Sequence, residues 1–162
     1  MHSRIFVFAP DTSDDVLSEI PSEEELYDAL SHVVDYVSED TDLDEDVEWL
    51  KQWLGDDNFS LTRQKGSKYY QIQPTFFRKL IQHKLRESLQ QAHTLLVDAQ
   101  NLLETDADNF GPYPLWQISD LVYPRHDFYF YIIGEGGLMS WVDILPYCNK
   151  PYYIIKSFDY HT

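Results

Sequence analysis

The sequence predicts an α+β protein: an acidic, helical N-terminal half, a β-hairpin, a long central amphipathic helix and a C-terminal antiparallel meander. Three observations carry that expectation. Apolar residues from Phe77 to Leu103 recur at helical spacing, "FSLTRQ" and "KYYQIQP" flank a "KGS" turn, and three strand-like runs follow Phe110. With 162 residues the chain is long enough for one domain with its own core, so residues 1–162 read as a single unit.

Taken in order, "RIFVF" (4–8) has the composition of a short strand and is ended by Pro10 and "DTSDD". Ser22 followed by Glu25 is the capping-box spacing, and Leu26, Leu30, Val33 and Val37 then step by 4, 3 and 4, which predicts a helix over 23–38. A second helix over 44–54 puts Val47, Leu50 and Leu54 on one face beside Trp49 and Trp53, and Gly55 suits its C-terminal stop. The hairpin covers 59–73.

The strongest periodicity follows. Phe77, Ile81, Leu85, Leu89, Ala92, Leu96, Ala99 and Leu103 predict a helix of nearly 30 residues with Thr75 as its cap, a spine whose stripe other elements should cover. Beyond Phe110, "DFYFYII", "LMSWVDIL" and "YYIIKSFDYH" read as strands of a meander joined by "GEGG" and "PYCNKP". "LMSWVDIL" is also compatible with a short helix.

Net charge is −16, and its distribution is uneven. Residues 1–60 hold 18 acids and 2 bases, residues 61–100 hold 2 acids and 7 bases, and residues 101–162 hold 8 acids and 3 bases. Phosphate contacts depend on Lys and Arg, so direct nucleic-acid binding is not expected. No apolar run reaches the roughly 18 residues of a membrane helix, and "MHSRIFVFAP" is short for a secretory apolar segment. A single cysteine, Cys148, suits a reducing compartment. The expectation is a cytoplasmic protein with no membrane partner.

The stretch "SEDTDLDEDVEWLKQWLGDD" (38–57) sets acids on alternate positions before two tryptophans. An EF-hand register starting at Asp40 places Glu45 where glycine is needed and Lys51 where the bidentate glutamate is needed, and one starting at Asp42 places Val47 and Trp53 there. The motif is absent. His83 and His93 are ten residues apart and no Cys/His cluster exists, so neither calcium nor zinc is expected, nor any other cofactor. "GEGG" lacks both G-x-G-x-x-G and the Walker lysine, and reads as a turn.

One or two acids at the start of the 44–54 helix cap free N–H groups and oppose its dipole. Ten acids from Asp35 through Asp57 exceed that need. Glu24, Asp28, Asp35 and Glu39 form a ridge opposite the apolar stripe of the first helix; at ~6 Å spacing this ridge is sparser than the one charge per ~3.4 Å of a DNA strand. Added to the 40–48 cluster it approaches that density. The basic residues Arg78, Lys79, Lys84 and Arg86 sit at the positive end of the long helix, an arrangement that nearby acids would relieve.

The leading functional expectation is a non-enzymatic acidic protein that occupies a basic site, plausibly a nucleic-acid-binding one, on a protein partner, in the manner of an inhibitor or nucleic-acid mimic. Its contact residues are Glu24, Asp28, Asp35, Asp42, Asp44, Asp46 and Glu48, with Trp49 and Trp53 as apolar anchors. The alternative is a structural or homo-oligomeric protein with a merely solvated acidic face, associating through an aromatic patch at Trp116, Tyr123 or Trp141. A third reading draws Cys148 with His126 or His161 as a thiol hydrolase, though no local nucleophile motif accompanies them.

Overall fold

The computed structural model describes residues 2–64, 66–105, 116–117, 128–135, 137–140, 143–147 and 149–161. The chain divides into two compact units, one formed by Met1–Ile81 with His126–Thr162 and one by Gln82–Arg125.

The first unit is an α+β fold built on a mixed seven-stranded sheet. Its strands are β1 (His2–Ala9), β2 (Tyr36–Ser38), β3 (Phe59–Gln64), β4 (Ser67–Ile72), β5 (Phe128–Ile132), β6 (Leu138–Met139) and β7 (Tyr152–His161). Their order is β3-β4-β7-β1-β5-β6, with β2 also paired to β7. Helices α1 (Asp14–Leu17), α2 (Glu23–Leu30), α3 (Leu43–Leu54) and the start of α4 (Phe76–Thr105) complete the fold.

The N-terminal half is therefore not mainly helical, since it opens with β1. The predicted 23–38 helix stops at Leu30, and Tyr36–Ser38 form β2 instead. Ser22 and Glu25 do make the reciprocal capping box at the start of α2. Its continuation, "VVDYV", is rich in β-branched and aromatic residues that favour a pleated surface. The antiparallel edge of β7 offers those residues backbone partners, and Asp35 N–H already donates to the His161 carbonyl.

The C-terminal region departs from a meander in a specific way. β5 pairs in parallel with β1, while β7 lies antiparallel on the other side of β1, between it and β4 and β2. Among the described strands after α4, β5 and β6 alone form consecutive antiparallel neighbours, across a turn in which Gly134 and Gly137 adopt positive φ. Of "LMSWVDIL", Leu138–Met139 are strand and Leu145 opens a 3-10 turn, Leu145–Tyr147.

Strands buried on both faces read as continuous apolar runs, and β1 and β7 have that character. Alternate residues of β1 supply two cores. Phe6 and Phe8 join Val47, Leu50 and Leu54 of α3, Phe76, Phe77, Leu80 and Ile81 of α4, and Phe130, Tyr152 and Ile154 of the sheet. Ile5, Val7 and Ala9 join Leu26 and Leu30 of α2 with Tyr129, Ile155, Phe158 and Tyr160. Helices α2 and α3 therefore cover opposite faces of the sheet. A register shift at Val7/Phe8, where Val7 faces Lys156 and Phe8 faces Ile154, leaves Ile155 as an extra residue in β7. That bulge explains why Tyr152 and Ile154 join one core whereas Phe158 and Tyr160, at the same alternation in sequence, join the other.

In the second unit, α4 runs from Gln82 to Thr105 with Ala99 buried. The apolar stripe is not fully covered as the periodicity predicts, because Leu85, Leu89, Leu96 and Leu103 remain exposed.

Candidate acidic interface

The acids separate into an exposed majority and a few with internal duties. Of the eighteen between Asp11 and Asp57, sixteen are exposed, Asp44 is half-buried and Asp46 is buried. Glu24 and Asp28 stand on α2, opposite the buried Leu26 and Leu30, and neither forms an ion pair among the described residues. The acids of α3 sit across the sheet from them. Residues 35–42 cross between the two layers along β2 and carry Asp35, Glu39, Asp40 and Asp42. Glu23 Oε1 accepts the Glu39 backbone N–H at 2.5 Å, so the acidic belt is continuous from the first turn of α2 around β2.

Asp42 is the N-cap of α3 and accepts from the backbone N–H groups of Asp44 and Glu45. Asp44 accepts from Lys68 Nζ and from the Tyr70 hydroxyl at 2.7 Å. Those bonds, the lysine's first, hold its carboxyl below the usual carboxylate range. Burial, reinforced by the same Asp44 carboxylate, pushes the Tyr70 phenol up to about 12. Glu48 pairs with Lys51, Glu39 with Lys156, and Asp35 Oδ2 lies 3.0 Å from His161 Nδ1.

The Tyr70 shift has a sign that fixes an expected result. The folded state favours the protonated phenol, so its stabilising contribution is complete below an ordinary tyrosine pKa of 10. It is lost as pH rises from 10 through about 12. Subtracting the ultraviolet phenolate titration of Tyr70→Phe from that of the native protein should leave one tyrosine ionising near pH 12. A difference curve centred at pH 10 instead would mean that the Asp44–Tyr70 contact does not form. Loss of that hydrogen bond should also cost about 1 kcal/mol in chemical denaturation.

Asp46 has a different place. Its side chain points inward, where Arg4 Nε donates to Oδ1 at 2.7 Å, while Arg4 also donates to Asp159. Asp159 in turn accepts from the Tyr36 hydroxyl at 3.1 Å, and Tyr36 stacks on His161. The second oxygen of Asp46, Oδ2, is buried with no hydrogen-bond partner. Trp49 stacks on Phe6 and leans on Trp53, and both indoles are partly buried against the α3-side core.

The structure thus leaves Asp35 exposed before β2 and Asp42 and Glu48 exposed on α3 and its cap, sets Glu24 and Asp28 on α2, and gives Asp44 and Asp46 to internal bonds. The Arg4–Asp46–Asp159 cluster was not anticipated from sequence. Its available signals were an arginine inside an otherwise apolar strand and an aspartate alternating with Phe158 and Tyr160 in β7. Neutralisation of Arg78 and Lys79 by the acidic helices does not occur among the described residues; both are exposed, and the acids pair with Arg4, Lys51, Lys68, Lys156 and His161 instead.

Cys148, His126, Tyr123 and Trp141 lie outside the described residues, whereas Trp116 is exposed. Among the described residues there is no group of three or more His, Cys, Asp or Glu side chains placed to hold a metal ion. No described helix is long and apolar enough to cross a membrane. The fold and the belt together define an acidic α+β protein. No family model, curated protein or solved structure matches the chain.

Proposed function

We propose that this is a non-enzymatic binding protein whose acidic belt occupies a basic site, of the kind that otherwise holds nucleic acid, on a protein partner. The observation that carries the reading is the exposure of sixteen of the eighteen acids between Asp11 and Asp57, with few of them neutralised internally. Such a surface steers a basic cleft into contact at rates and affinities that fall with salt. Glu24, Asp28, Asp35, Asp42 and Glu48 are the contacts that the geometry supports best. Asp44 and Asp46 serve this surface by fixing α3 against β4 and β1, and the half-buried Trp49 and Trp53 lend the belt an apolar border.

The test is capture of proteins from the source cell on the immobilised chain at ~0.1 M and ~1 M salt, where the Debye length is ~10 Å and ~3 Å. The control variant carries Glu24→Gln, Asp28→Asn, Asp40→Asn and Glu45→Gln, which leave the internal bonds intact. A basic protein retained only at low salt, only by the native chain, and released by competing duplex DNA is the expected result. Equal retention by the variant would sink the reading.

A further inference from the structure

The second unit presents a surface unrelated to the acidic belt. Leu85, Leu89, Leu96 and Leu103 are 47%, 70%, 52% and 51% exposed. At 3.6 residues per turn these four fall within an arc of about 40°, a straight apolar line ~27 Å long. Four half-exposed leucines in register are more than the scattered apolar residues of an ordinary surface. The spacing from Leu89 to Leu96 to Leu103 is a strict seven, and Leu85 and Ala92 each fall three or four residues from them.

Charge along the same helix selects the occupant. Arg86 and Glu104 are 18 residues apart, which is five turns, so they stand on one flank of the leucine line at its opposite ends. A parallel two-fold neighbour would turn this flank toward the opposite flank of its partner, so that Arg86 and Glu104 do not meet. An antiparallel one reverses this, bringing each Arg86 to a Glu104 with an axial offset of ~3 Å, and it also opposes the two helix dipoles. The leucine line is self-complementary in the same sense. With a two-fold axis at the level of Thr94, Leu85 meets Leu103 and Ala92 meets Leu96.

We propose that the exposed face of α4 from Leu85 to Leu103 is the interface of a homodimer in which two copies of this helix pack antiparallel about Thr94. The interface is isologous, with the same residues on both sides. It uses residues separate from those of the acidic belt, so it is independent of the binding function proposed above.

Sedimentation equilibrium should give a dimer that Leu89→Glu and, separately, Leu96→Glu convert to monomer with unchanged circular dichroism. Arg86→Glu and Glu104→Arg should each weaken the dimer at low salt, and the double variant should restore it. A short bis-maleimide tests direction in a Cys148→Ser background: His93→Cys should cross-link, whereas the two Gln82→Cys positions lie ~36 Å apart in the antiparallel pair and should not. A monomer at every concentration, a dimer indifferent to both leucine substitutions, or cross-linking at position 82 but not at 93 would each overturn the proposal.

Discussion

Phe77→Ala is expected to lower the unfolding free energy by about 3–5 kcal/mol, the largest effect of any single truncation in the fold. Phe77 is fully buried and its ring meets those of Phe8, Phe76, Phe130 and Tyr152 at centroid distances of 5.2, 5.2, 6.1 and 5.8 Å, mostly edge to face. Alanine removes the ring from a site walled by one helical neighbour, Phe76, and three strands. None of those strands can close the gap without disturbing its ladder. Phe77→Leu, which fills most of the volume, should cost markedly less, on the order of 1.5 kcal/mol. Urea denaturation followed by tryptophan fluorescence reads both values. A loss below about 1 kcal/mol for the alanine variant would mean that α4 does not enter this core.

Arg4→Met should cost about 3 kcal/mol for a different reason. Its guanidinium is shared between Asp46 and Asp159, whose side chains are only 9% and 14% exposed. Methionine keeps much of the packing volume but leaves two carboxylates close together and without their cation, and an uncompensated charge is what makes a broken buried pair costly. For a protein of this size each kcal/mol moves the melting temperature by roughly 2–4 °C, so a fall of about 6–12 °C is expected. Adding Asp46→Asn and Asp159→Asn to Arg4→Met should recover a substantial part of it. If the triple variant is less stable than Arg4→Met alone, hydrogen bonding and not charge balance is what the cluster supplies.

Much of the architecture was legible because local chemistry and tertiary context agree there. The Ser22/Glu25 box, the "KGS" hairpin, Gly55 after α3 and the 4-3 rhythm from Phe77 all specify the element that forms. The departures in the sheet share one physical source, the position of β7. Its residues Tyr152–His161 contain apolar side chains for both faces, which is the pattern of a central strand, and yet nothing local says which strands will flank it. Once it sits beside β1, its other edge recruits Tyr36–Ser38 and cuts short a helix whose apolar spacing was otherwise sound.

The candidate site divides in the same manner. Exposure of Glu24 and Asp28 follows from their place opposite the apolar stripe of α2, a regularity that periodicity carries well, whereas Asp35 is exposed in the turn that leads into β2. The inward turn of Asp46 does not follow from its place in an acidic run. It depends on Arg4, 42 residues away in sequence, and on Asp159, 155 residues from that arginine. Pairings of that separation are set by strand register, which the alternation of a single strand cannot reveal.

The placement of β7 between β1 and both β2 and β4 also governs when the fold can exist. During synthesis β1 emerges long before the strand that binds it along eight registered positions, His2↔His161 through Ala9↔Tyr153. Until then Phe6, Phe8, Ile5 and Val7 have no sheet to enter and the hairpin β3-β4 has no neighbour on its inner edge. The long segment between them must be closed into a loop before the central ladder forms, which makes folding slow relative to its size. Until β7 is available this protein is a strongly charged, unassembled chain, and the same acidic excess that marks its finished surface keeps its waiting strands apart from those of its neighbours.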